Sequence, residues 1–180
     1  INYLIYMIPA FILMGITSWY VRYAYNKWSK VRASSGLTGV DATRRLISMN
    51  GLSGLQIQGT PGEISDYYDP RNNTLYLSNG VANVPSVAAL AIAAHELGHA
   101  QQDAEEYFPM RLRGFLVPMV NIGSNLGWIL IIAGLLLNFT GLAWLGVLVF
   151  SGGAIFALAT LPVEFDASAR AKRMLTNSGI

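Results

Sequence analysis

Residues 93–100 read Ala93-Ala94-His95-Glu96-Leu97-Gly98-His99-Ala100, which is the pattern H-E-x-x-H within a run of residues that mostly favour helix. Residues four apart lie on one face of a helix, so the imidazoles of His95 and His99 can bind one metal ion. Glu96 follows the first histidine, where it can deprotonate a metal-activated water. The chain contains 2 histidines, and both are here. The alternative is a structural pair, on the helix surface or hydrogen-bonded within the core.

The composition predicts a membrane protein. Hydrophobic residues make up 53% of the 180 residues and charged residues only 12%, whereas soluble domains are about 25% charged. The net charge of +2 is small. Because the basic residues are not interleaved with aromatic ones, we expect no nucleic-acid partner. The chain has no cysteine, which excludes disulfides, thiolate zinc ligands and a cysteine nucleophile.

The first segment, residues 1–28, is predicted to be an uncleaved transmembrane anchor. Residues 1–21 carry no charge and are long enough to span a bilayer. A basic start and a small-residue cleavage site, typical of a signal peptide, are not visible. Aromatic residues that mark a membrane interface precede or accompany the first basic residues; they are Trp19, Tyr20, Tyr23, Tyr25 and Trp28.

Residues 29–115 have soluble character and are predicted to form a cytoplasmic α+β region that contains the H-E-x-x-H helix. The strand predicted at 74–78 either pairs along its edge with an extended peptide substrate or packs as half of a simple β-hairpin. The predicted elements are a helix from Thr38 or Gly39 to Asn50-Gly51, strands at 55–58 and 74–78, and a helix from Val87 to Gln102 and on toward Tyr107.

Residues 116–163 are predicted to form a transmembrane hairpin. No charged residue lies between Arg113 and Glu164, and this length accommodates two spans with a turn at Asn138-Phe139-Thr140-Gly141. All 12 Lys and Arg residues lie outside that turn. By the positive-inside rule, the N-terminus faces outward and residues 22–115 and 163–180 face the cytoplasm. The predicted fold class is therefore an α-helical membrane protein with three transmembrane helices and a small cytoplasmic α+β zinc-peptidase-like layer.

A catalytic zinc site needs a third protein ligand. With no further histidine and no cysteine, a carboxylate is the first candidate and a tyrosine or amide the second. Glu164 follows Pro162 at the mouth of the last predicted span, where a carboxylate is costly to bury without a partner such as a metal. The alternative is an acid that complements the dipole at the start of a C-terminal helix predicted over 164–180. Ser168 and Arg170, on that helix, are candidates for orienting the site or the substrate.

Several longer blocks of sequence are more specific than the histidine pattern. They are Ser65-Asp66-Tyr67-Tyr68-Asp69-Pro70-Arg71, Leu77-Ser78, Ser86-Val87-Ala88-Ala89, residues 93–102, Leu116-Val117-Pro118 and residues 160–171. Through these blocks, over most of its length, the chain resembles the prokaryotic membrane neutral zinc metallopeptidases (YugP-like). The resemblance implies a membrane-embedded peptidase in which His95, His99 and Glu164 bind zinc and Glu96 is the catalytic base.

The chain departs from this family in two places. The family usually has a histidine before Tyr-Asp-Pro, where this chain has Tyr67. If that position stabilises the tetrahedral intermediate, the phenol of Tyr67 or Tyr68 has to replace it. Members also tend to continue into a further hydrophobic segment, whereas this sequence stops at Ile180. Either a C-terminal span is missing or the sequence is limited to an ordered part.

The predicted function is that of a zinc metalloendopeptidase of a prokaryotic inner membrane, multi-pass, with a cytoplasmic active site. Zn²⁺ would polarise the scissile carbonyl and activate a water, while Glu96 would take its proton and pass it to the leaving amine. The expected partners are the lipid bilayer and a peptide or protein substrate. The alternative is a catalytically idle accessory subunit bound to other membrane subunits, although a structural site has no need of Glu96. A transporter would need charged residues inside the spans.

Overall fold

A computed structural model describes the backbone of residues 2–180 and the side chains of residues 8–180. Over this range the protein is mostly helical, with a small three-stranded sheet. The elements in chain order are α1 (Asn2–Trp28), α2 (Gly39–Met49), β1 (Gln56–Thr60), β2 (Tyr67–Asp69), β3 (Thr74–Ser78), α3 (Asn79–Ala82), α4 (Val87–Ala104), α5 (Phe108–Leu136) and α6 (Thr140–Ser178).

The chain divides into two units, and the division falls inside α4. The first unit contains residues 1–97 and 171–180, and the second contains residues 98–170. In the first unit, the core is built from apolar side chains of the sheet, of α2 and α3, and of the buried face of α4. Its fully buried members include Ala42, Leu46, Leu75, Leu77, Val81, Ala93, Ala94 and Leu97.

Helix α2 begins and ends as its sequence predicts. The hydroxyl of Thr38 accepts a hydrogen bond from the Asp41 N–H (3.3 Å) and donates one to its carboxylate (2.6 Å), which satisfies a backbone donor of the first turn. The helix stops at Asn50, whose N–H donates to the carbonyl of Leu46. Gly51 follows with φ of 67°, a conformation that glycine adopts without steric cost.

The observed sheet differs from the predicted one in its strand pairing and in its number of strands. The strands predicted near 55–58 and 74–78 are present as β1 and β3, but they pair in parallel, so they do not form a hairpin. The strand missed by the sequence is β2, which pairs antiparallel with β3 across the turn at 70–73 and gives the order β1-β3-β2. The alternative in which β3 is half of a β-hairpin is therefore confirmed, with β2 and not β1 as its partner. Because β3 is central, both of its edges are occupied. The prediction that a peptide pairs along β3 is therefore wrong, and the outer edges of the sheet belong to β1 and β2.

In the second unit, α5 and α6 pack closely over their apolar lengths. A Cβ added at Gly134 would lie 2.8 Å from the Cα of Ala143, and one added at Gly127 would lie 3.0 Å from the carbonyl oxygen of Gly146. Contacts this short leave no room for a side chain, so small residues set the spacing of the two helices. The predicted turn falls between them, with Asn138 at φ of 51°, a conformation that asparagine tolerates.

Two helices among the described residues, α5 and α6, are long and apolar enough to cross a membrane. Large apolar side chains along them are exposed, for example Phe115, Ile129, Leu136 and Leu158. The third predicted span falls on α1, and the apolar run that predicts it begins at Leu4, outside the residues whose side chains are described. That span stays a prediction.

Helix α6 runs without interruption through Pro162. The prediction of a separate helix opening at Glu164 is therefore wrong. A proline inside a helix removes one backbone hydrogen bond, and α5 likewise continues through Pro118. Glu164 consequently lies deep inside a helix that begins at Thr140, whereas dipole effects fade within the first turn. This placement excludes the interpretation of Glu164 as an acid at a helix N-terminus.

Candidate metal centre

Helix α4 carries the two histidines one turn apart on one face. His99 is buried and His95 is partly exposed. Within the second unit, Nε2 of His99 lies 3.4 Å from Oε2 of Glu164 on α6. One ligand atom from each of His95, His99 and Glu164 lies within 4.8 Å of the others. The structure therefore brings together the three residues that the sequence nominates as metal ligands.

The donor set and its spacing fit zinc. Two imidazole nitrogens and one carboxylate oxygen form a common catalytic zinc set, which leaves one tetrahedral position for water or substrate. Two atoms bound tetrahedrally at about 2.1 Å lie about 3.4 Å apart, which matches the distance between His99 and Glu164. A direct charge-assisted hydrogen bond would be shorter, at about 2.7–2.9 Å. The spacing thus suits two groups that share an ion.

Gly98 permits the close approach of α4 to α6. A Cβ at this position would lie against the backbone carbonyl of Ala167, 3.0 Å from its carbon. Backbone cannot move aside as the end of a flexible side chain can. Position 98, between His95 and His99, therefore has to be glycine for α4 to pack against α6 at Ala167. This close packing lets His99 reach Glu164.

Arg113, near the start of α5, orients Glu164. Its Nη1 donates to Oε1 of Glu164 at 2.7 Å, whereas the other oxygen, Oε2, faces His99. The two carboxylate oxygens are thus divided between a guanidinium and the metal position, and such partners fix the direction of a ligand. Sequence reasoning missed this role, since Arg113 appears there only as a basic residue that flanks an apolar run.

Gln102 fixes the tautomer of His99. This fully buried side chain donates from Nε2 to the carbonyl oxygen of Val163 and to Oδ2 of Asp166, both at 2.8 Å. Because both of these atoms can only accept, the amide oxygen must face His99, where Oε1 lies 3.0 Å from Nδ1. The proton of His99 is then on Nδ1, and its Nε2 lone pair is directed toward Glu164 and the metal position.

Arg170 lies behind this network. Its Nε donates to Oδ2 of Asp166 and its Nη1 to Oε2 of Glu105, both at 2.6 Å, and the guanidinium lies 5.6 Å from the ring centre of Tyr107. The residue is buried. The structure therefore connects Arg170 to His99 through Asp166 and Gln102. Its predicted role in orienting the substrate stays a prediction.

Glu96 contacts β2 through the backbone. Its Oε2 accepts a hydrogen bond from the N–H of Tyr68 at 3.1 Å. The phenols of Tyr67 and Tyr68 are the two predicted catalytic phenols. The hydroxyl of Tyr68 donates to Oδ1 of Asn73 at 3.1 Å. The exposed ring of Tyr67 stacks on the ring of Tyr76, with 4.6 Å between the ring centres. Their role in stabilising an intermediate stays a prediction, while the backbone contact was not foreseen.

Gln102→Glu should weaken zinc binding about 10–100-fold, the usual effect of losing a group that orients a ligand. A carboxylate at this position cannot donate to Val163 or Asp166, and it places a second charge beside Asp166. Titration with a competing chelator measures the affinity. Gln101→Glu, the same change one residue earlier on α4, should leave the affinity unchanged. Equal affinities of the two variants would contradict the role assigned to Gln102.

Comparison with known proteins agrees with this chemistry. A family model described as "Putative neutral zinc metallopeptidase" matches residues 3–180. The protein named "Putative membrane protease YugP", from Bacillus subtilis (strain 168), is 39% identical over 169 residues, which cover 92% of this chain and 75% of that protein. No solved structure matches the chain. With the His-His-Glu group, the family match identifies zinc as the cofactor.

Proposed function

We propose that this chain, which belongs to the neutral zinc metallopeptidase family, is a membrane-bound endopeptidase with His95, His99 and Glu164 as zinc ligands and Glu96 as general base. The observation that carries the proposal is the convergence of three ligand atoms within 4.8 Å of one another, two from α4, which also presents Glu96, and one from Glu164 on α6. Family membership supports the reaction class, and the geometry of the His-His-Glu group supports the assignment of roles.

Glu96 is the residue that moves the proton in this proposal. Zinc, when bound, supplies a Lewis acid that polarises the scissile carbonyl and acidifies water. The carboxylate of Glu96 accepts the proton of the attacking water and returns it to the leaving amine, a contribution of about 10²–10⁴-fold in rate. The hydrogen bond from the Tyr68 N–H holds Oε2 of Glu96 before substrate arrives.

The outer edge of β2 is the proposed docking edge for the peptide backbone. Since β2 pairs with β3 on one side and the Tyr68 N–H donates to Glu96, that N–H points away from β3. An extended peptide can add to such an edge through main-chain hydrogen bonds. A substrate carbonyl that accepts the Tyr68 N–H would take the place of Glu96 and release its carboxylate for proton transfer.

The membrane arrangement is proposed from the distribution of charge. Residues 1–28 form an N-terminal anchor with its start outside, 29–115 a cytoplasmic region, 116–163 a transmembrane hairpin, and 164–180 the cytoplasmic end of α6 that carries Glu164. The support is the clustering of basic residues in the segments placed inside. The proposed location is a prokaryotic inner membrane, in keeping with the bacterial membrane protease that the chain is similar to.

Chelation should abolish the activity. Purified protein in detergent micelles is incubated with unfolded membrane-associated proteins, with and without a chelator, alongside metal analysis. We expect cleavage that the chelator removes and added zinc restores, because the reaction depends on the ion. Cleavage that persists in a preparation shown to be metal-free would contradict the proposal. Bound zinc without any cleavage would favour the idle accessory subunit instead.

A further inference from the structure

A cavity opens beside the proposed catalytic pair on α4. It has a volume of about 290 Å³, and its lining includes His95 and Glu96 together with Ile64, Ala91 and Ile92. These three side chains are apolar. The cavity therefore adjoins the proposed base, yet most of its wall suits an apolar group.

Asp66, the acidic residue that lines this cavity besides Glu96, binds the protein through both carboxylate oxygens. Its Oδ1 accepts from the backbone N–H of Ser78 at 2.7 Å, and its Oδ2 accepts from the hydroxyl of Ser78 at 3.1 Å. Both carboxylate oxygens thus have protein donors. A charged substrate side chain entering this space would lose water without gaining a matched partner from the apolar wall.

Ile64 is held in an unfavourable backbone conformation at the mouth of this cavity. It lies between β1 and β2 with φ of 53°, and a β-branched residue rarely adopts the left-handed region. The residue is 43% exposed, so burial does not explain the choice of isoleucine. Strain of this kind persists where the position of a side chain serves a purpose. Here it places an apolar side chain beside the proposed site.

A larger apolar groove in the same unit shares part of this wall. This second cavity, of about 490 Å³, runs between α1 and α4 and shares Ile64, Ala91 and Ile92 with the first. From α1 it is lined by Val21, Ala24 and Trp28, among others. The α1 side of the groove belongs to the aromatic stretch that marks a membrane interface. The groove therefore lies along the segment expected to leave the bilayer, next to the cavity that Glu96 lines.

We propose that these two adjacent cavities bind an apolar stretch of the substrate, so that cleavage occurs next to a large apolar side chain held by Ile64, Ala91 and Ile92. The substrate class is a peptide whose apolar segment emerges from a membrane. This inference rests on the proposed function, because the first cavity acquires a substrate role only if Glu96 and His95 act on a peptide. A peptide is favoured over a lipid because the cavity ends at these two residues.

Ala91→Leu tests the cavity by filling it. Ala91 is exposed on α4, and leucine keeps the helix propensity, so the fold should be retained. The zinc-loaded full chain, in micelles, is given a synthetic peptide library, and cleavage sites are identified by mass spectrometry. We expect kcat/KM to fall about 10–200-fold for sites flanked by Leu, Ile or Phe, and less than about twofold for sites flanked by Ala, Gly or Ser. A site preference identical to that of the wild type would overturn the inference.

Ala104→Leu is the matched control. It is the same change on the same helix, at an exposed position that lines neither cavity. It should leave the site preference unaltered. A loss of the apolar preference in this variant as well would overturn the assignment, because the effect would then come from added bulk on α4 and not from the cavity.

Binding without turnover separates this inference from the proposed function. In a Glu96→Gln background, a labelled peptide with phenylalanine should bind at least about 10-fold more tightly than the same peptide with aspartate, and Ala91→Leu should remove the difference. Discrimination in binding, with no cleavage by the wild type, would support the binding of apolar peptides by the cavities, while the peptidase proposal, and with it the cleavage preference, would fail. Equal binding of the two peptides would overturn the cavity assignment alone.

Ile64→Gly gives a variant that the fold should tolerate. Glycine adopts φ near 53° without strain, so the melting temperature should not fall, whereas the apolar preference should weaken because one wall is lost. An unchanged preference for apolar residues would contradict the role assigned to Ile64.

A lipid is the alternative occupant of the groove. Phospholipid that copurifies with the wild type and is lost in Ala91→Leu, with peptide binding unaltered, would assign the groove to lipid and overturn the inference.

Discussion

Glu96→Gln should reduce peptide cleavage by about 10²–10⁴-fold while leaving zinc content at the wild-type level. Glutamine has the shape of glutamate but cannot take a proton from water. Its amide oxygen can still accept the Tyr68 N–H that Oε2 now accepts at 3.1 Å, so the contact between α4 and β2 should survive. Glu96 is not in the metal-binding group, so the ion should remain. Metal analysis and a peptidase assay on the same preparation measure both quantities.

Glu106→Gln is the control for this change. Glu106 is exposed and its ion pair with Arg111 (3.1 Å) joins two exposed side chains, whose mutual stabilisation is small. The control should retain full turnover. Undiminished turnover in Glu96→Gln would remove the proposed role of this residue. Loss of zinc from Glu96→Gln would show instead that the carboxylate supports the metal site.

The part of the site that sequence predicts best is local. His95 and His99 are recognisable because a helix converts a spacing of four residues into a shared face, and no tertiary information is needed. Glu164 is predicted differently, because the chain offers no further histidine or cysteine as third ligand and this carboxylate stands at the mouth of a predicted span. The sequence thus identifies the residue but not its place in the helix, since Pro162 suggests a helix start where α6 continues.

The groups that orient the ligands could not be read from the sequence. Gln102 lies on the predicted helix, but its function comes from Val163 and Asp166, which are brought to it by the packing of α6 against α4 at Gly98. Arg113 gains its role in the same way, from a partner on another helix. The sequence gives the chemical type of such a residue, here an amide or a guanidinium. It does not give the atom that the residue contacts when the partner is remote in the chain.

The strands and their pairing could not be fully predicted for a different reason. A strand of three residues such as β2 is too short to show alternation, and its pairing with β3 comes from tertiary packing. Periodicity also carries no information on whether two strands run parallel, which is why β1 and β3 were compatible with a hairpin. The cavity at Ile64 was equally hidden, because its wall depends on a backbone conformation that isoleucine disfavours.

Glu164→Ala should strip zinc from the purified protein. It removes the single carboxylate of the three-residue group, and the expected loss of affinity exceeds the about 10–100-fold that follows removal of a group that only orients a ligand. The guanidinium of Arg113, which now binds Oε1 at 2.7 Å, would remain beside the metal position and repel a cation. Metal content per chain and a competing-chelator titration measure the effect.

Glu106→Ala is a matched control, because it also removes a glutamate that pairs with an arginine of α5, here Arg111. The Glu164 side chain is 40% exposed and that of Arg113 38%, so breaking their pair leaves a solvated arginine and should not unfold the protein. Zinc should therefore be lost from Glu164→Ala and kept by Glu106→Ala. Glu164→His, which returns a nitrogen ligand, should recover part of the zinc. Full zinc occupancy in Glu164→Ala would exclude this carboxylate as a ligand, and the site would then need a different third donor.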